Sequence, residues 1–168
     1  FIYIKMKKSI TYLMVFLFIL VSNKVASQTA SANANAVVKI AGPLTLTKNV
    51  DLNFGTVSGS TQSGSVIIAP DGTVTTFGGV TVIDQSLLSA ASFGVFGPAN
   101  TSFTITLPSY VELKNELNTS IALYGMNSNP SGSGTLGPTG TATLLVGASI
   151  TVNASQGEGI YQGDFEVT

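Results

Sequence analysis

The sequence predicts an all-β protein, an immunoglobulin-like antiparallel β-sandwich that follows an N-terminal signal peptide. Three observations predict it. Behind the leader, no segment keeps a helical apolar period for long. Gly, Pro, Asn and Ser interrupt the chain at roughly the ten-residue spacing of short antiparallel strands. The stretches between them are β-branched and apolar at every second position, the period of a strand with one buried face.

The leader comes first. Met6 reads as the start, and Phe1–Lys5 have no role in this scheme. Lys7 and Lys8 form a basic segment ahead of the apolar run Ile10–Val21, "ITYLMVFLFILV". That run falls short of the about 20 residues a membrane span needs, which argues against the alternative, an uncleaved anchor helix. Small residues in "VAS" at Val25–Ser27 place cleavage before Gln28. Residues 1–27 are thus expected to be a signal peptide and 28–168 a single sandwich domain without a membrane span. The expected location is outside the cytoplasm: extracellular, cell surface or periplasmic.

"SANANAVVKI" opens the mature chain. Ala32, Ala34, Ala36, Val38 and Ile40 alternate with Asn33, Asn35 and Lys39, with Val37 breaking the polar side. This is a strand pattern with two readings. It is the first strand of its own sandwich, or it is donated to the sheet of a neighbouring copy. "AGP" at Ala41–Pro43 would be the hinge.

The strands then follow in order. "PLTL" and "DLNFGTV" place Leu44, Leu46, Leu52 and Phe54 on one parity. Ser65–Ala69 and Thr73–Thr76 read as a hairpin about the turn Pro70-Asp71-Gly72, where Pro presets φ and Gly permits reversal. Phe93 and Val95 alternate, Pro98-Ala99-Asn100 turns the chain, and Phe103, Ile105 and Leu107 alternate again. "YVELKNELNTS" reads as a connecting loop or short turn. Its alternative is a helix sharing Val111, Leu113 and Leu117 on one face. Ser120–Asn127 is a strand, and Asn129–Gly140 a long, flexible-looking hairpin loop with Leu136 tucked under it. "TATLLVGASITV" reads as one bent strand or two short ones, with a bulge at Gly147. The last strand carries Tyr161, Phe165 and Val167 on one parity.

Composition excludes several chemistries. There is no His, Cys or Trp, and all seven basic residues are Lys. This removes Ser-His-Asp and Cys-His nucleophiles, His or Cys zinc ligation, disulfide staples and arginine clamps on phosphate. Beyond the leader, three lysines face eight acids, a net charge of −5. Nucleic acid and anionic membranes are poor partners for such a surface.

The acids are Asp51, Asp71, Asp84, Glu112, Glu116, Glu158, Asp164 and Glu166, scattered over turns and strand faces. Glu112 and Glu116 come together only in a helix. Nothing implies the cleft that a two-carboxylate glycosidase requires. "PDG" lacks the rest of a calcium loop, so Asp71 is read as a turn former. "SGSGTLG" lacks the G-K-[ST] ending of a phosphate loop. Glycan binding would rest on aromatic platforms, and Tyr110 and Tyr124 are the candidates, because the phased Phe residues read as core. No catalytic, cofactor-binding or metal-binding residue is assigned, no cofactor is expected, and the protein is read as a non-enzyme.

Four motifs together carry a resemblance: "PLTLTKNVDLNFGTV" (Pro43–Val57), "PDGT" (Pro70–Thr73), "NTSFTITLPS" (Asn100–Ser109) and "GIYQGDFEVT" (Gly159–Thr168). In order and spacing the chain resembles the bacterial domain of unknown function 4402, over nearly all of residues 28–168. That family is similar in outline to spore-coat-protein-U-like and chaperone–usher pilin domains. The resemblance implies an exported β-sandwich without assigned activity, and it carries over no catalytic residue. Domains of this kind usually extend the last strand further, so either the sequence is truncated at Thr168 or its final strand is short.

The function these readings lead to is an exported, non-catalytic structural or adhesion protein of the cell surface. A pilin-like or coat-like subunit would assemble with copies of itself, or with related subunits, by strand pairing. The alternatives are a glycan- or other ligand-binding module and, remotely, a carboxylate-based hydrolase.

Overall fold

The computed structural model describes residues 28–40 and 42–168; the leader expected over 1–27 lies outside them. The described residues fall into two units, 28–39 and Ile40–Thr168. In the first, every residue of 28–39 is exposed and none lies in a strand. The alternation of Ala32–Ile40 is therefore not realised as a strand here. An unpaired strand leaves its backbone groups to water and gains nothing from its pattern until a partner arrives.

The second unit is all-β among the described residues, with antiparallel pairing throughout and no helix. Its strands are β1 (Thr45–Val50), β2 (Thr56–Ser58), β3 (Gly64–Ile68), β4 (Val74–Gly78), β5 (Thr81–Asp84), β6 (Ala91–Phe96), β7 (Ser102–Thr104), β8 (Tyr110–Lys114), β9 (Ser120–Asn129), β10 (Ser133–Thr135) and β11 (Thr141–Val152). Seven of them form one curled main sheet. β2 pairs β5 and β7 pairs β10 as two small sheets.

β11 is the axis of the main sheet. Along one side it pairs β9, which in turn pairs β8. Along the other side its first half pairs β6 and its second half pairs β3. β6 continues to β1, and β3 to β4. The change of partner falls at Gly147, where an added Cβ would overlap the Ile68 carbonyl oxygen and approach Ala69 and Pro70. Glycine lets the end of β3 cross close over β11. Of the two expectations, one bent strand or two short ones, the structure has one continuous strand.

Two apolar clusters lie on the inner face. β11 sends Leu144 and Val146 into one, and Ala148, Ile150 and Val152 into the other. The first also takes Phe93, Val95, Phe103 and Leu136; the second takes Val66, Ile121 and Leu123. Leu52 and Phe165 pack against both. The opposite layer is supplied by the small sheets, through Val57 and Val82 on one side and Phe103 on the other.

Three expectations are corrected. Tyr110–Lys114 is strand β8, neither loop nor helix. Val111 and Leu113 fall at a period of two into the core, while Leu117 is 81% exposed in the turn. The Asn129–Gly140 segment is not a free loop: β10 pairs with β7, and Leu136 is 1% exposed, tucked as expected. The last segment packs Tyr161, Phe165 and Val167 on the core with the expected parity, yet it forms no ladder. Its backbone pairing is limited to a bridge of Gln162 to Lys114 and reciprocal hydrogen bonds between Thr168 and Thr106. β5 had no counterpart in the sequence reading.

Candidate functional site

The surface feature that follows most directly from the topology is a strand edge. β1 pairs with β6 on one side; among the described residues nothing pairs with its other side. Its register fixes which side chains face the core. Leu46 stands opposite Val95 and Lys48 opposite Phe93, both of which are buried, so Leu44, Leu46 and Lys48 share the inner face. Leu44 and Leu46 nevertheless remain 45% and 42% exposed. Neither belongs to the cluster that Val95 helps form.

An open edge is a template for another strand. Its lower half is guarded: the ladder bulges between Lys48 and Val50, and Lys48 is paired with Asp51 at 2.6 Å on the surface. Bulges and edge lysines are devices that discourage pairing. The unguarded part is Leu44–Thr47. Among the described residues β4 is also open on its outer side, with Phe77 exposed. The remaining edge, β8, is touched by Gln162 at Lys114.

The eight acids are all exposed. Glu112 lies on β8 and Glu116 in the turn after it, so the pairing that a helix would have given is absent. Asp71 is the turn former expected of it: Thr73 N–H donates to Asp71 Oδ1 at 2.9 Å, which lowers its carboxyl pKa. Asp84 plays the same part for Ser86 N–H at 2.8 Å, with the same lowering. Glu112 is lowered first by the Ser120 hydroxyl and then by Lys114, whose Nζ is 3.1 Å away. Hydrogen bonding to the charged form is the cause in each case. Among the described residues no group of three or more acids gathers in a form that could hold a metal. A shallow depression of about 570 Å³ between β4 and β5, with Val74, Thr76, Val82 and Leu88 in its lining, has no titratable side chain in its wall.

Tyr110 and Tyr124 are brought together. They stand directly opposite one another on β8 and β9, and both point to the outer face. Sequence reasoning named the two together as candidates but could not place them opposite one another, because the segment holding Tyr110 was not read as a strand.

The family model described as Domain of unknown function (DUF4402) matches residues 44–168, from the residue before β1 to the last residue. The chain belongs to this family. The match takes in every strand of the sheet system and leaves the exposed Gln28–Lys39 outside. No curated protein and no solved structure matches the chain. Among the described residues of this DUF4402 protein, no helix is long and apolar enough to cross a membrane.

Proposed function

We propose that this DUF4402 chain is an exported, non-catalytic structural protein of the cell surface, a pilin-like or coat-like subunit that assembles by β-strand addition. One observation carries the reading. β1 offers an unpaired edge whose core-facing Leu44 and Leu46 are left half covered. Strand addition works by main-chain hydrogen bonds for affinity and alternate side chains for fit. The segment that suits it lies just upstream: Ala32–Ile40 alternates, and Val38 and Ile40 are 84% and 90% exposed. Docked on β1 of a second copy, its apolar parity would cover Leu44 and Leu46. The net charge of −5 beyond the leader and the scattered, exposed acids support a role in contact rather than chemistry.

The test is the solution mass of residues 28–168, with and without 28–40, by light scattering after size exclusion. Assembly of the longer form and a folded monomer of the shorter support the reading. A monomer in both cases, or loss of folding on deletion, rejects it. Leu46→Glu should also abolish assembly while leaving the fold intact, because the site is 42% exposed and a charge there meets water in the monomer.

A further inference from the structure

Among the exposed aromatic side chains on the outer face of the main sheet, Tyr110 and Tyr124 stand side by side. Tyr110 is 56% exposed and Tyr124 37%, directly opposite one another on neighbouring strands. An exposed tyrosine ring usually swings freely between rotamers. Tyr124 is held: Thr151 Oγ1 donates to its hydroxyl at 3.1 Å. Thr151 lies on β11 opposite Ala122, two residues along β9 from Tyr124. A tie to that position requires the ring to lean across β11, along the sheet rather than away from it. A ring lying along the sheet turns one π-face to solvent. Ser149, opposite Tyr124 on β11, is only 8% exposed although its parity sends it to this same outer face. That is what a side chain roofed by the ring would show.

The surroundings are polar but electrically closed. In the next row Glu112 faces Ala122, and Ala122 faces Thr151. The Glu112 carboxylate is neutralised by Lys114. The face therefore offers a flat aromatic shelf, a carboxylate acceptor and hydroxyls, with no uncompensated charge. A nucleic-acid base would find the shelf but no basic groove for its backbone. A folded protein would need a far larger apolar patch. A sugar ring has one apolar C–H face and a rim of hydroxyls, and it carries no charge. It matches all three properties.

We propose that this face binds neutral saccharide chains. One pyranose stacks on Tyr124, Tyr110 extends the platform to a second ring, and the Glu112 carboxylate accepts from a ring hydroxyl. The site is on the β8 side of the sheet, the opposite edge from β1, so it stands or falls independently of subunit assembly.

The experiment is a titration of the protein with cello-, manno- and galacto-oligosaccharides, and with polygalacturonate as an anionic contrast. Calorimetry and tyrosine emission, unobscured because the chain has no Trp, give the readouts. Saturable binding of at least one neutral oligosaccharide is expected. Tyr110→Ala and Tyr124→Ala should each weaken it about tenfold, the scale of one lost aromatic contact. Tyr124→Phe keeps the ring but loses the tie to Thr151 and should fall between the parent and Tyr124→Ala. Leu117→Ser, in the exposed turn after β8, should change nothing. Melting curves check that each variant is folded. The proposal is overturned if no neutral oligosaccharide binds, if only polygalacturonate binds, or if binding survives both alanine variants undiminished.

Discussion

Gly147 does at one position what no other residue could. Two strands meet end to end along the same side of β11, and the chain leaving β3 crosses where a side chain would stand. Because the obstruction is backbone, nothing flexible can give way. Gly147→Ala should cost about 3 kcal/mol, the upper range for overpacking. Urea denaturation reads this as a lower midpoint at unchanged slope; an unmoved midpoint would show that β3 and β11 are not crossed this way. Asp71 and Asp84 act in turns, through backbone N–H groups held by charged carboxylates. Both pKa values are lowered in the folded state. Their contribution is therefore present above the ordinary aspartate value of 3.8 and is lost as pH falls through the folded value. The melting-temperature gap between the protein and its Asp71→Ala or Asp84→Ala variants should be widest at neutral pH and close in acid. A gap that persists at the acid end would mean the side chains act some other way.

At the scale of elements, pattern was legible where partners are local. The turn at Pro70-Asp71-Gly72 joins β3 and β4 as expected, closed by Gly72 N–H to Ala69 O. β11 was legible from its unbroken parity through Leu144, Val146, Ile150 and Val152. β8 was not, although Val111 and Leu113 alternate. Leu117 at a helical spacing and the flanking Asn and Glu residues masked a period of two only five residues long. In the hairpin, Asn118 takes a positive φ and Asn115 Oδ1 accepts from Thr119 N–H, a turn chemistry the sequence displayed and the reading passed over. β10 was invisible for another reason: its partner β7 lies some thirty residues upstream, and no local pattern encodes that pairing. Leu136 beside it is fully enclosed, so Leu136→Ala should cost about 2–5 kcal/mol despite lying in a Gly-rich connection. A loss within error in chemical denaturation would return the segment to the status of a loose loop.

For the molecule as a whole, the two core clusters are not independent. They share β11, and they share Leu52 and Phe165. Phe165 meets Phe93 edge-on with ring centroids 6.4 Å apart. Unfolding of residues 40–168 should accordingly be a single cooperative transition, with the same midpoint whether it is followed by tyrosine emission or by β-sheet circular dichroism. Phe165→Ala should lower that midpoint without splitting it; two separated transitions would mean that each cluster stands alone. The candidate surfaces were only half legible at this scale. The alternation of Ala32–Ile40 and the identity of the two tyrosines were on the page. The open edge of β1 and the Tyr110–Tyr124 pairing were not, because both depend on which strand ends up beside which.

The place of β11 in the chain also sets a clock. It lies between residues 141 and 152, after every other strand, yet it is the strand that β3, β6 and β9 require as a neighbour. A ribosome delivers the chain from the other end. Until that strand emerges, β1–β6, β2–β5, β3–β4, β7–β10 and β8–β9 can pair two by two, but nothing joins those pairs into one sheet, and isolated strand pairs are marginal in water. The main sheet can therefore close only after β11 has followed the ten strands before it, in one late step.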